Sequence, residues 1–460
     1  MSREDIFNFG ALYAQAPLYR AVSDYVNNAP ARFHMPGHKG GNSPLDALFG
    51  SSLLFDVTEL PETDSLFDAC GAILAAEKLA AEAFGAKSSV FSAGGATLCI
   101  QAMLRLVSQK GGLKVICGRN LHRSAVNAMS LLGIEPVWIW SRPIAGSSLP
   151  GIIDVKDIEL SLKQNTDAAA VYITSPDYYG VMSDIGSLAT ICKRYGVPLI
   201  VDNAHGAHLA FIEDGALHPM RLGADICCDS AHKTLPVLTG GAILHLGEGF
   251  NPSQAKDAMA LFGSTSPSYL IMLSLDIARA WAKNFGKAEF YKLRERVDEI
   301  KALCIRLGFG LPAADIDPVR LTIDTAVGGL TGVKAAELLR KGGVSVELYD
   351  DRHIVLLPSP FNSESDFKRL ENELCRLPTY KAIPLSVYSL EKPYVIMKMS
   401  QALQAKSEMV ETARSIGKTA AESRCPCPPG VPIVMPGELI SKNSAKVLEN
   451  YGVEYIKVLK

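Results

Sequence analysis

Val197-Pro198-Leu199-Ile200-Val201-Asp202-Asn203-Ala204-His205 and Asp229-Ser230-Ala231-His232-Lys233-Thr234 are the two stretches that decide how this chain folds. In the first, an apolar run ends abruptly in a carboxylate. In the second, the strand-like run Ala224 to Cys228 leads to a lysine. Apolar runs of this length read as strands buried on both faces, which is the habit of a parallel sheet covered by helices. In such sheets, ligand-binding groups sit just past the carboxyl ends of the strands.

The same theme repeats outward. Ser88 to Ser92 reads as a strand, followed by Gly94-Gly95-Ala96-Thr97 and an apolar-periodic helix through Val107. Leu113 to Cys117, Pro136 to Trp140, Ala168 to Ile173 and Gly241 to Leu246 read as further strands, with helices to Leu132 and over Ile185 to Tyr195. The expected fold is α/β, with a large domain built on a mostly parallel sheet. Residues 255 to 308 read as helical. A smaller α+β domain follows, with strands at Arg320 to Asp324, Val344 to Glu347 and His353 to Leu357 and helices at Thr331 to Gly342 and Ser365 to Arg376. The C-terminal segment carries one predicted helix, a Pro/Cys loop and a closing strand pair. The expected divisions are an N-terminal arm (1–60), a large domain (61–295), a small domain (296–390) and a C-terminal α+β domain (391–460).

An acid at the end of one buried strand and a lysine at the end of another suit one cofactor, pyridoxal 5'-phosphate. The lysine amine condenses with the aldehyde, and the carboxylate pairs with the protonated pyridine nitrogen. Asp202, nearly buried by its strand, needs a cationic partner, and the pyridinium would be one. Ala204 is small enough to let a ring approach the sheet. Of His205 and His208, His205 is favoured as a contact to the cofactor's 3-oxygen or the substrate carboxylate. Ser230 and His232 can offer hydrogen bonds to a phosphate. The helix opened by Gly95, Ala96 and Thr97 offers unpaired backbone amides and a dipole to the same anion. His122, just past a strand end, is placed to stack on the pyridine ring.

Composition narrows the classes. The net charge is −2, and no basic tract is dense enough for a nucleic-acid footprint. No apolar span reaches membrane length. Met1-Ser2-Arg3-Glu4-Asp5-Ile6 is acidic where a leader would be basic, so no targeting segment is expected. The ten cysteines are scattered, most of them in apolar segments, as in a reducing cytoplasm. No metal site is expected; Cys425 and Cys427 have the wrong spacing for a zinc knuckle.

Taken together, these residues resemble the Orn/Lys/Arg decarboxylase family, basic amino-acid decarboxylases of the aspartate-aminotransferase fold (fold type I). The matching stretches are Pro17-Leu18-Tyr19, Phe33-His34-Met35-Pro36-Gly37-His38-Lys39-Gly40-Gly41, Arg119-Asn120-Leu121-His122-Arg123-Ser124, Val201 to His208, Ser230 to Pro236, Pro428-Pro429-Gly430-Val431-Pro432 and Pro436-Gly437-Glu438. The resemblance implies that Lys233 carries the cofactor, Asp202 pairs with the pyridine nitrogen and His122 stacks on the ring. Thr97, Ser230 and His232 would hold the phosphate, with Ala96 supplying its amide. It also implies a homodimer of the short branch, without the extra N-terminal domain of the large acid-stress enzymes. Two positions depart from the pattern: Ala96 replaces a hydroxyl residue and Asn203 an acid, so a looser phosphate grip and the loss of a charge behind the site are expected.

The reaction implied is decarboxylation of arginine, lysine or ornithine to the amine, in polyamine-type metabolism. His34, His38 and Lys39 are expected at the mouth of the site. Glu347, Asp350, Asp351 and Glu438 are candidates for the acid that meets the substrate's distal charge. The rivals are an aminotransferase or lyase of the same fold, in which Arg320 or Arg352 would clamp the substrate carboxylate, and a catalytically silent relative.

Overall fold

The computed structural model describes residues 9–41, 43–142, 144, 147, 149, 151–385, 391–424 and 432–460. Seven strands form the main sheet: β1 (Ser88–Ser92), β2 (Lys114–Gly118), β3 (Glu135–Ile139), β4 (Ala168–Thr174), β5 (Leu199–Asp202), β6 (Ile226–Asp229) and β7 (Ala242–Leu246). Their order is β1-β7-β6-β5-β4-β2-β3. β2 runs parallel to β3 and β4, and β5 runs parallel to β6. β7 is antiparallel to both β1 and β6. The sheet is therefore mostly parallel, as the apolar runs require, and β5, β6 and β7 are buried along their whole length.

The chain forms two compact units, one of Met1–Leu106 with Ile200–Glu289 and the other of Val107–Leu199 with Phe290–Lys460. In the first, the helix Ala72–Phe84 packs on β1, yet its N-cap, Gly71, has no side chain to cap it. Asp64 does that work from a distance. Its carboxylate accepts the N–H groups of Cys70 at 3.0 Å, Gly71 at 2.9 Å and Ile73 at 2.9 Å. Burial pushes the Asp64 carboxyl up, but the backbone donors from Cys70, Ser65, Gly71 and Ile73 outweigh it and hold the group below its ordinary value.

In the second unit, β8 (Leu321–Asp324), β9 (Leu348–Tyr349) and β10 (His353–Leu356) form an antiparallel sheet in the order β8-β10-β9. β11 (Ser407–Glu411) pairs antiparallel with β12 (Tyr455–Leu459). Ile433, Val434, Ile440, Leu448, Ile456 and Val458 pack a core beside this pair.

Several expected elements differ. The strand expected at Val344 to Glu347 is displaced to Leu348–Tyr349, the two residues that pair with β10, with Glu347 adding one backbone bond to Val355 at 2.9 Å. Alternation without a partner strand does not make a ladder. The helical stretch 255–308 breaks between Ala260 and Tyr269, where Gly263 and Pro267 fall and Ser268 caps the next helix with its side chain. From Tyr269 the helix then runs, through a π-turn, to Arg306. A helix at Val155–Gln164, capped by Asp154, was not anticipated, and the C-terminal segment holds two helices, Met399–Gln404 and Lys442–Asn450, where one was expected. Cys425, Cys427 and residues 428–431 lie outside the described residues. Among the described residues, no helix is long and apolar enough to cross a membrane.

Candidate active site

β5 and β6 are neighbours in parallel register, with Asp202 opposite Cys228, so both strands end at the same edge. Asp202 is 1% exposed; its Oδ1 accepts the Ala204 N–H at 3.2 Å and faces the Cys228 thiol at 3.7 Å. Beyond β6 the chain makes a tight turn over Ala231–Lys233, closed by the Lys233 N–H to Ser230 at 2.9 Å. That turn brings Lys233 Nζ to 2.9 Å from Nε2 of His205. The two motifs separated in sequence therefore meet: the lysine amine of one touches the histidine of the other. Ala204 is 9% exposed, and its methyl sits between the acid and this histidine in the chain.

His232 donates from Nδ1 to the Gly241 carbonyl at 2.9 Å, with Ser230 Oγ at 3.4 Å from the same nitrogen. A further donation from this ring could come only from Nε2. The glycine pair lies where expected, at the start of the helix Gly95–Ser108. One expectation needs correction here: the Gly95 N–H already donates to Gly240 at 2.7 Å, and Gly95 adopts φ +68. Its contribution is the left-handed turn, not a donor. Ala96 and Thr97 follow in the first helical turn, whose amides have no intrahelical acceptor, and the Thr97 side chain is exposed.

His122 caps the helix Arg123–Leu132. Its Nδ1 accepts the Ser124 N–H at 3.2 Å and lies 2.7 Å from Ser124 Oγ, which leaves Nε2 as the protonated nitrogen of the neutral ring.

The arm residues are held locally. His38 Nε2 meets Asp56 at 3.1 Å, His34 meets the Tyr25 hydroxyl, and the exposed Lys39 reaches back to the His34 carbonyl. None of these bonds leads to Lys233.

Glu438 is not available to a substrate, contrary to expectation. It is 2% exposed, and Arg119 grips it from two nitrogens at 2.7 and 2.6 Å. Arg119 also donates to the carbonyls of Pro432 and Ile433, and its guanidinium lies over the rings of Trp138 and Trp140. Asp350 is likewise engaged, by the Tyr179 hydroxyl at 2.7 Å and His353 Nδ1 at 3.1 Å. Burial pushes the Asp350 carboxyl up, but His353 and Tyr179 outweigh it and lower it. Glu347 and Asp351 remain exposed. The arginines of the aminotransferase rival are also committed: Arg352 bonds both oxygens of Asp324 at 3.2 and 3.0 Å, and Arg320, 1% exposed, lies 3.6 Å from Asp317.

The charge expected to be missing at Asn203 has a counterpart nearby. Asn203 Nδ2 donates at 2.7 Å to Asp229, a fully buried carboxylate that also accepts from His218 at 3.0 Å and His245 at 3.3 Å. Burial pushes the Asp229 carboxyl up, but the two histidines outweigh it and hold the carboxyl well below its ordinary range; burial lowers His245. Their ligand-type atoms lie within 4.8 Å of one another. The geometry is nevertheless that of a hydrogen-bond cluster. The Met220 N–H donates to His218 Nδ1 at 3.4 Å, so Nε2 carries the proton that points at Asp229 and offers no lone pair to a metal. Sequence reasoning missed this group and Arg119; an acid immediately before Ser230 and a base immediately after β2 were the only local signals.

The donor set fits pyridoxal 5'-phosphate: an amine beside an imidazole, a buried carboxylate on the neighbouring strand end, and a helix start and a histidine that bond the adjacent glycines Gly240 and Gly241.

Comparison with known proteins agrees. Residues 16–307 match the family described as Orn/Lys/Arg decarboxylase, major domain, and residues 388–460 match its C-terminal domain. An arginine decarboxylase of Halalkalibacterium halodurans is 33% identical over 463 residues, covering 95% of this chain and 93% of the relative. An arginine decarboxylase of Bacillus subtilis is 31% identical over 453 residues, covering 94% and 92%. The structure of the E. coli constitutive lysine decarboxylase superposes with a TM-score of 0.80 at 21% identity, covering 97% of this chain and 82% of that one, a likeness of fold.

Proposed function

The chain belongs to the Orn/Lys/Arg decarboxylase family, and on that premise we propose that it is a pyridoxal 5'-phosphate-dependent decarboxylase of a basic amino acid, with arginine first. The observation that carries the reading is the meeting of Lys233 and His205 next to the buried Asp202. Arginine is put first because the Halalkalibacterium halodurans and Bacillus subtilis relatives at 33% and 31% identity carry that name; lysine stands second, from relatives and a structural neighbour named as lysine decarboxylases.

When bound, the cofactor supplies an electron sink for the pair left on Cα as the carboxylate departs as carbon dioxide. The chain's residues do the rest. Asp202 would hold a proton on the pyridine nitrogen, its carboxylate pairing that charge in a buried site. Lys233 would hold the cofactor through its amine. His205, at 2.9 Å, takes the proton that the amine must lose before it can act as a nucleophile. Thr97, Ser230 and His232, with the Ala96 amide, hold the phosphate. His122 would stack on the ring, and either His122 or Lys233 would return a proton to Cα to give the amine. Ala204 leaves room for the ring. His34, His38 and Lys39 belong to the mouth of the site. Of the acids considered for the distal charge, Glu347 and Asp351 keep exposed carboxylates, and Glu347 is the one we assign.

The same reading gives a cytoplasmic homodimer serving polyamine-type metabolism. The eight described cysteines are in no disulfide, which suits a reducing compartment. The test is product analysis with carboxyl-labelled arginine, lysine and ornithine. Labelled carbon dioxide with one of the three supports the assignment; amino transfer to 2-oxoglutarate without carbon dioxide would replace it with the aminotransferase reading.

A further inference from the structure

Asp229 has no part in the chemistry proposed above, yet it connects the two segments that do. It is the last residue of β6, and Asn203 is the first residue after β5. Asn203 Nδ2 and the Cys227 thiol reach its Oδ1 at 2.7 and 3.5 Å. His218 and His245 reach its Oδ2 at 3.0 and 3.3 Å. The outer nitrogens of the rings are fixed in turn: His245 Nδ1 by Ser89 Oγ of β1 at 2.8 Å, and His218 Nδ1 by the Met220 N–H. Phe84 stacks on His245 at 4.5 Å between ring centres. Asp229, Asn203, His218 and His245 are all 0% exposed. A single carboxylate thus ties β1, β7, β6 and the end of β5 together in a dry interior, where charge-assisted bonds are about twice as strong as neutral ones.

The consequence is positional. Asn203 directly follows Asp202, and Asp229 directly precedes Ser230 and the turn that ends at Lys233. Groups that act on one ligand must be held to within about 0.5 Å. We propose that Asp229 is a positioning residue, which holds the Asp202 end of β5 and the Ser230–Lys233 turn at the spacing one cofactor requires. The proposal rests on the cofactor reading above.

The bonding pattern supplies its own test. In Asp229→Asn, the amide oxygen still accepts from both histidines, and the new NH2 group meets Asn203, so size is kept and the charge is lost. In the exchange Asp229→Asn with Asn203→Asp, the new amide oxygen accepts from the histidines and its NH2 donates to the new carboxylate, so the bonds to the histidines and across to position 203 are remade, and the charge returns on the other side. Equilibrium dialysis of the apo protein with pyridoxal 5'-phosphate gives the dissociation constant, steady-state kinetics give kcat and KM, and near-ultraviolet dichroism reports folding. Asp229→Asn is expected to raise the dissociation constant about tenfold and lower kcat about 100-fold with KM little changed; the exchange should recover both to within about threefold. If Asp229→Asn does not fold, Asn203→Ala removes one arm of the brace and should move both constants in the same direction by less. A variant with a lower melting temperature but wild-type dissociation constant and kcat would overturn the proposal, and so would a folded exchange variant that recovers neither. Failure of the cofactor reading looks different: the wild-type chain itself would take up no pyridoxal 5'-phosphate, and the positioning role would fall with it.

Discussion

The side-chain amine of Lys233 lies 2.9 Å from Nε2 of His205, although the two residues come from different strand ends. A neutral lysine is a nucleophile and an ammonium is not, so we propose the imidazole beside it as the local proton acceptor. This contact joins the two sequence motifs in one chemical unit.

Replacing His205 tests that unit. His205→Ala should lower kcat by about 100-fold while the protein still binds the cofactor, since general acid–base groups contribute about 10²–10⁴. Steady-state kinetics beside a visible absorbance spectrum separate loss of proton transfer from loss of cofactor. An unchanged kcat would assign the proton to another group.

The Arg119–Glu438 pair is structural in this account. Both side chains are nearly buried, and Glu438→Ala leaves a guanidinium with two of its bonds unmade. Removing one partner of a buried pair costs about 3–5 kcal/mol. Urea unfolding should show that loss, and KM for the amino-acid substrate should be little changed in the protein that remains folded. A large rise in KM with unaltered stability would restore Glu438 as a substrate ligand.

How much of this was legible follows from distance along the chain. Asp202, Lys233 and His205 lie in short motifs at strand ends, where periodicity and residue type speak together. Glu438 and Arg119 are 319 residues apart, and a proline-glycine turn before an acid reads the same whether that acid meets a substrate or a buried arginine. Arg352 is committed to Asp324, 28 residues away, while Arg320 lies 3.6 Å from Asp317, three residues before it, a pairing that depends on side-chain orientation and that no pattern reveals. His218 and His245 each look like an isolated histidine until the sheet brings Asp229 between them.

Asp64 gives a pH-dependent prediction. Its folded pKa is lowered, so its contribution to stability is fully present above the ordinary carboxylate value and is lost as pH falls through the depressed one. Asp64→Asn tolerates the left-handed backbone at this position (φ 68) but loses the carboxylate that serves the helix start. At pH 7 the variant should be less stable by about 1–2 kcal/mol. The gap between the two proteins should close as pH falls below about 3.8, the reference value for an aspartate. Urea unfolding across that range checks the sign; a gap that widens in acid would contradict it.

Borohydride reduction of the protein loaded with pyridoxal 5'-phosphate, followed by digestion and mass spectrometry, addresses the assignment of Lys233 most directly. The account predicts the reduced cofactor's mass on the peptide that contains Lys233, and its absence in Lys233→Ala. Label on a different lysine, or none on the wild-type chain, would contradict it.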